Sequence, residues 1–366
     1  MGSSTGKIFK VTNFGESHGV ALGCVIENCP AGMELTEADI QPDLDRRKPG
    51  QSKITTQRKE EDQVKIVSGT FENKTIGSPI TMLVYNGDQR GKDYTYFKDI
   101  YRPSHADYTY QQKYGFRSYV GGGRSSARAT IGTVAAGSVA KKILSLKTSM
   151  KFAAYVSQVQ NIKISESYQL PEIEKLQQAC EKNMIRCPDQ ETAQRMIELI
   201  DQTSKEGDSV GGIITLVIEN VPAGLGNPVY DRLDALLAYA MMAIPAVKGV
   251  EIGSGFSSAQ FKGSEHNDIF FNDKGAIHTR TNRSGGIQGG ISNGESIEMK
   301  IAFKPTATLS MEQPTVNEKG EEVMLKVRGR HDPCVLPRAV PIVEAAAALV
   351  MVDEYLLNKL ADIRNI

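Results

Sequence analysis

The sequence predicts an α+β fold, an internally duplicated β-α-α-β layered sandwich with mainly antiparallel sheets outside and small-residue helices inside. Three observations carry that expectation: a strand and turn that occur twice, a strand–turn–helix order that follows both copies, and an alanine-rich helix late in each half. The repeat is Cys24-Val-Ile-Glu-Asn-Cys-Pro-Ala-Gly32 and Leu216-Val-Ile-Glu-Asn-Val-Pro-Ala-Gly224, each an apolar run closed by an Asn-x-Pro-x-Gly turn. Leu35 to Arg47 and Asp231 to Met242 follow with helical spacing, Asp231 standing where a cap is expected. Strand-like runs at Ile80 to Tyr85 and Ile297 to Phe303 come next, then the helices Ser126 to Leu144 and Ala339 to Leu357. Small faces let helix backbones approach closely, which places these two helices face to face in the interior.

One domain over residues 1–366 is expected, with repeats at about 7–150 and 208–360 and a helical excursion over 161–206 between them. Pro171 and Pro188 are its start signals and Gly207 its close. Two long glycine-rich stretches, Asp88 to Gly123 and Gly249 to Gly294, carry too many aromatic residues and arginines for disorder and read as functional loops.

Lys plus Arg equals Asp plus Glu at 43 each, so no global field favours nucleic acid or an anionic membrane, and an anion site must be built locally. No apolar run reaches the roughly 18 residues of a membrane span, and the first ten residues lack the apolar core of a secretory signal. A cytoplasmic protein acting on a small molecule is therefore expected. The five cysteines, Cys24, Cys29, Cys180, Cys187 and Cys334, show neither Cys-x-x-Cys nor a Cys/His cluster of metal-site form, so they read as reduced packing thiols, and no metal is expected.

Four stretches bear chemistry. Gly15-Glu-Ser17-His18-Gly19 fits the Gly-x-Ser-x-Gly pattern of a hydrolase elbow, but that elbow leads into a helix, whereas this one leads into the apolar strand Val20 to Ile26. What remains is a serine and a histidine on a glycine-flanked turn, suited to proton donation or simply a surface turn. Arg102-Pro-Ser-His105-Ala-Asp107 runs into Tyr108, Tyr110, Tyr114, Phe116 and Tyr119, and His105 there is either a ligand contact or a packed ring. Gly121-Gly-Gly-Arg124-Ser125-Ser126-Ala-Arg128 opens the first alanine-rich helix; a helix N-terminus with arginines suits an anion, although a glycine linker would look the same. Neither a Walker A nor a Rossmann spacing is present.

The fourth stretch is composite: Ser284-Gly-Gly-Ile-Gln-Gly289-Gly290, then Lys304-Pro305-Thr306-Ala307-Thr308, then Arg328-Gly-Arg330-His-Asp332-Pro333. Glycines that admit a flat ring, a lysine with two threonines, and an arginine beside an acid suit a polar ligand. Arg46-Arg47-Lys48 ends the first helix, where basic residues also satisfy terminal carbonyls. The loops together read as rich in arginine, with two histidines and few nearby acids, which suits a substrate with several anionic groups.

Gly15-Glu-Ser-His-Gly19 with Pro30-Ala-Gly32, Gly122-Gly-Arg-Ser-Ser-Ala-Arg128, and Arg330-His-Asp-Pro-Cys334 resemble, in order, the signature regions of the chorismate synthase family, and the likeness runs from about Phe9 to Asp353. The resemblance implies a duplicated sandwich, a homotetramer, reduced flavin mononucleotide (FMN) as cofactor, and 1,4-anti elimination of phosphate from 5-enolpyruvylshikimate 3-phosphate to give chorismate without net redox change. It implies His18 as the acid for the departing phosphate with Ser17 beside it, His105 near flavin N1, and Asp332 near flavin N5 with Ser126 as a relay. Flavin contacts are implied at Arg124, Ser125, Ser126, Pro245, Ala246, Gly289, Lys304, Pro305, Thr306, Ala307, Thr308 and Arg330, and substrate contacts at Arg46, Arg47, Arg128 and Arg330.

Two residues depart from the family pattern. Lys53 replaces a common arginine at a position of nicotinamide nucleotide contact, shared with Arg47, and Pro245 replaces an asparagine beside the flavin. NADPH would act only as an indirect reductant, or a separate flavin reductase would supply the electrons. An ordinary flavin oxidoreductase and a non-enzymatic anion-binding protein are the competing readings; the first needs a nicotinamide fingerprint that the sequence lacks.

Overall fold

An apolar–polar alternation in Ile297–Phe303, broken only by Ala302, puts Ile297, Met299, Ile301 and Phe303 on a buried face and Glu298 and Lys300 on the other, the signature of a strand covered on one side. The computed structural model, which describes residues 2–51, 60–87, 96–327 and 332–363, builds two five-stranded antiparallel sheets from such segments. The first comprises β1 (Ser4–Thr5), β2 (Lys10–Gly15), β3 (Ala21–Glu27), β4 (Val64–Ser68) and β5 (Ile80–Tyr85), in the order β1-β2-β3-β5-β4. The second comprises β6 (Lys151–Val159), β7 (Ile162–Lys163), β8 (Gly212–Glu219), β9 (Val247–Ile252) and β10 (Ile297–Phe303), in the order β7-β6-β8-β10-β9.

The two orders superpose term by term, and so does the register: Cys24 pairs with Met82 where the equivalent Leu216 pairs with Met299. The turns match as well, with Asn28 and Asn220 both left-handed at φ 60° and 56°. The duplication read from the repeated segment is thus a duplication of topology. Its boundary differs from expectation: β6 is the counterpart of β2, so the second unit begins at Lys151. Helices α4 (Ile173–Cys180) and α5 (Gln190–Lys205) are an insertion within that unit rather than a join between units.

The remaining helices are α1 (Gln41–Arg47), α2 (Asp107–Tyr114), α3 (Thr130–Lys147), α6 (Leu233–Met242) and α7 (Leu336–Asn358). Here α2 follows α1 in the chain and α3 and α7 are the interior pair, packed on each other between the sheets. Arg232, not Asp231, occupies the cap position of α6, because Asp231 instead pairs with Lys7 near the chain start. Helix α7 begins three residues earlier than its alanine run. Pro341 brings no N–H to the carbonyl of Pro337, and the Arg186 guanidinium donates to that carbonyl in its place.

A Cβ built on Gly137 of α3 would lie 2.4 Å from the Cβ of Ala345 on α7 and 2.6 Å from its Cα. Elsewhere in a helix Gly→Ala gains about 0.5–1 kcal/mol. At this crossing the sign reverses, and Gly137→Ala is expected to destabilise by about 1–3 kcal/mol through overpacking, read from the urea midpoint at unchanged slope. A gain in stability would show that the helices can part without cost.

Candidate active site

Residues far apart in sequence are linked, contact by contact, into a ring of side chains and loop backbone. It begins in the turn between β2 and β3, where Ser17 is buried and its Oγ lies 3.1 Å from Nδ1 of His18. The Ser17 N–H donates to the Gly123 carbonyl at 3.3 Å. Gly121 has φ +71°, and a Cβ there would fall 2.2 Å from His18 Nδ1, so the imidazole is seated against a position that only glycine can fill.

The Gly121 carbonyl accepts from Arg102 Nη2 at 3.3 Å. Arg102 in turn grips Asp107 through Nε and Nη2, both at 2.8 Å, and through its backbone N–H at 3.0 Å. That clasp closes the loop from Arg102 to Asp107 which presents His105. Burial tends to raise the Asp107 pKa, but Arg102 outweighs it and holds the carboxyl below the usual range.

Nδ1 of His105 is 3.0 Å from the Pro103 carbonyl and Nε2 is 2.9 Å from Thr308 Oγ1. A carbonyl only accepts, so the geometry assigns the proton to Nδ1 and makes Nε2 the acceptor of the Thr308 hydroxyl. Burial, then the Arg102 charge, pushes the His105 pKa below its ordinary value. His105 is therefore expected to titrate below an unperturbed histidine, which an NMR pH titration of the imidazole resonances checks against a free imidazole; a midpoint above the free one would contradict the burial argument. Because the folded-state pKa is depressed, acid costs stability here, beginning as pH falls through the unfolded value.

The Lys304–Thr308 segment joins this loop to the next. The Thr306 hydroxyl donates to the Asp332 carbonyl at 2.6 Å, and Ser209 Oγ donates to the Thr306 carbonyl at 2.7 Å. The Lys304 N–H donates to the Ala246 carbonyl at 2.9 Å, which draws the Pro245-Ala246 turn to the same place. Asp332 pairs with Arg338 on the first turn of α7, Nη1 to Oδ2 at 2.6 Å, and Arg338 Nε points at the Arg47 carbonyl at 3.4 Å.

Arg47 ends α1 wholly buried, with Nη1 donating to Asp62 Oδ2 at 2.9 Å. The other Asp62 oxygen faces Arg128 Nη1, also at 2.9 Å, and Glu60 lies 3.5 Å from Arg128 Nη2. Burial, with Arg338 and Arg128 nearby, pushes the Arg47 pKa down against the pull of Asp62. Nε and Nη2 of Arg47 have no hydrogen-bond partner among the described residues. The ring closes where the Arg128 N–H donates to Ser126 Oγ at 3.2 Å, against which Gly122 packs.

Ser17, His18, His105, Ser126, Arg128, Arg47, Thr306, Thr308 and Asp332 are thus brought together. Arg46 is not: one residue along α1 from Arg47 it points away, to Glu344 at 2.6 Å, Glu181 at 2.8 Å and Asp43 at 3.5 Å. Arg124 ties β2 down, donating to the Gly15 and Asn13 carbonyls at 3.1 and 3.0 Å, and Ser125 Oγ donates to the Gly122 carbonyl at 2.7 Å. Gly289 lies in the turn whose next residue, Gly290, packs on Arg232. Lys53 and Arg330, with Arg328 and His331, lie outside the described residues.

The expectation of few nearby acids does not hold. Glu60, Asp62, Asp107 and Asp332 each stand against an arginine, because charges this deep must be paired. Sequence reasoning missed Asp62, Glu60 and Arg338 as members of the site. Two signals were available: the acidic run Glu60-Glu61-Asp62, and one arginine in the apolar helix start Leu336-Pro-Arg338-Ala-Val-Pro341. Among the described residues no acid, histidine and cysteine group could hold a metal ion, and no helix is long and apolar enough to cross a membrane.

The model of the chorismate synthase family matches residues 9–356. A chorismate synthase of Cytophaga hutchinsonii is 56% identical over 360 residues, covering 98% of this chain and 99% of that protein. A chloroplastic chorismate synthase of Capnoides sempervirens is 58% identical over 358 residues, covering 98% of this chain and 80% of that protein. Among solved structures, a crystal structure of chorismate synthase superposes with a TM-score of 0.77 at 29% identity, covering 96% of this chain and 93% of that one.

Proposed function

The chain belongs to the chorismate synthase family, and from that premise we propose that it eliminates phosphate from 5-enolpyruvylshikimate 3-phosphate in a 1,4-anti sense, giving chorismate. The observation that carries this reading is the ring itself: two histidines and a carboxylate on separate loops, beside a buried arginine cluster in which Arg47 keeps two nitrogens without a hydrogen-bond partner among the described residues. Such donors suit an oxyanion, and a substrate bearing phosphate and carboxylates supplies several.

His18 donates the proton that neutralises the departing phosphate, with Ser17 and Gly121 fixing its ring. The Arg47 and Arg128 guanidinium groups bind the anionic substituents, leaving Arg46, whose acids occupy it, outside the contact set. Asp332 accepts the proton lost as the new double bond forms, and Ser126 stands on the same rim as a relay. The C–O bond to phosphate and one C–H bond break, the double bond forms, and nothing is oxidised overall.

The residues present fit a reduced flavin mononucleotide. Lys304 is half-buried, its pKa lowered first by burial and then by Lys248, and no ion pair among the described residues neutralises it. An unneutralised cation beside the Thr306 and Thr308 hydroxyls suits a flavin's phosphate or ring oxygens, with His105, Ser125 and the Pro245-Ala246 turn at the rim. When bound, the reduced flavin supplies electron density to the substrate as phosphate leaves. NADPH or a separate reductase provides that reduced flavin from outside the reaction. The exposed Phe256, Ile269, Phe270 and Ile277 favour self-association, in line with a homotetramer.

The test is anaerobic incubation of the protein with the substrate and photoreduced flavin mononucleotide, chorismate being read by chromatography. Chorismate is expected with reduced flavin and none with oxidised flavin. Folded, flavin-bound protein that forms no chorismate under the first condition would overturn the proposal.

A further inference from the structure

We propose that Arg338 is a positioning residue for the elimination, one that holds the Asp332 carboxylate at the angle from which it takes up the proton; the inference rests on the reading of Asp332 given above. Arg338 is buried in the first turn of α7, where its backbone N–H is anchored to the Val335 carbonyl at 3.1 Å. Its Nη1 meets Asp332 Oδ2 at 2.6 Å, while Nε is directed to the Arg47 carbonyl at 3.4 Å. A guanidinium can serve both acceptors because its donors lie in one rigid plane; a lysine ammonium offers no such fork.

The fixing has two parts. The Thr306 hydroxyl pins the peptide of Asp332 through its carbonyl, and Arg338 pins the side chain. With both ends held, rotation of the carboxylate is restricted, which is what a proton acceptor in an elimination requires of its support. The same arginine touches the backbone of Arg47, so the acceptor and the anion-binding cluster share one brace. Two of its nitrogens are committed to protein oxygens, which makes its effect one exerted through Asp332.

A double-mutant cycle on the full chain with reduced flavin tests this. Arg338→Met is expected to lower kcat by roughly 10–100-fold, the worth of a hydrogen bond to a charged group, with the KM for substrate moving by less than about threefold. In an Asp332→Asn background the same change should have no further effect on kcat, since the partner it holds is gone. Arg338→Lys should restore part of the rate, and it carries the cycle if Arg338→Met does not fold. Additive losses in the cycle, or a raised KM with kcat kept, would overturn the proposal by making Arg338 an independent or substrate-binding group. Asp332→Asn turning over at the wild-type rate would overturn it too, whereas wild-type protein that forms no chorismate defeats the proposed function itself.

Discussion

Replacing His18 by alanine lowers kcat for the elimination by about 10²–10⁴-fold, the range that a positioned general acid supplies. The seat of the ring decides this. Phosphate leaves poorly until its charge is neutralised, and the acid proposed for that task, His18, has its ring fixed by Ser17 Oγ at 3.1 Å and by the close approach of Gly121. Gly121→Ala should therefore reproduce much of the loss with the histidine still present, because a methyl group 2.2 Å from Nδ1 must displace the ring. Both variants should keep flavin binding, measured by fluorescence quenching. A His18→Ala enzyme with unchanged kcat would remove the histidine from the chemistry.

The second large effect is on stability. Asp62→Ala is expected to cost about 3–5 kcal/mol, the penalty for leaving a buried charge without its partner, since one carboxylate serves Arg47 at 2.9 Å and Arg128 at 2.9 Å. Asp62→Asn should cost less, because an amide oxygen still accepts. Burial alone would raise the Asp62 pKa, but the two arginines outweigh it and hold the carboxyl below its ordinary value. Its contribution is thus complete above the unfolded pKa of about 4 and is lost as pH falls through the folded value. Urea titrations of wild type and variant should differ fully at pH 7 and converge in acid. A difference below about 1 kcal/mol at pH 7, the worth of a surface pair, would mean that water reaches the cluster.

Much of the fold was legible because short-range patterns carried it. Ile80 to Tyr85 and Ile297 to Phe303, read as strand-like runs, are strands with those bounds, and Ser126 caps the turn that opens the alanine-rich helix. Where local signals competed with distant partners they failed. Asp231 looked like a cap, yet Lys7 claims it from the other end of the chain. The alanine run placed the start of the last helix at Ala339, yet the helix begins at Leu336, and Arg186 of the inserted segment donates to the Pro337 carbonyl that Pro341 leaves without an N–H.

The site shows the same division. Ser17, His18, His105 and Asp332 stood out because glycine turns and charge mark them in sequence. The pairing of the arginines did not, because Asp62 reaches Arg47 across 15 residues and Arg128 from a segment still farther along the chain. Helical phase separated Arg46 from Arg47, a distinction that two adjacent letters conceal until the neighbours of each face are known.

The proposed elimination consumes no electrons. Anaerobic mixing of the protein with substrate in excess over photoreduced flavin mononucleotide, with flavin absorbance and free phosphate followed together, tests it most directly. Many phosphates released per flavin, and a flavin still reduced when the substrate is spent, are expected. One flavin oxidised for each phosphate released would contradict it.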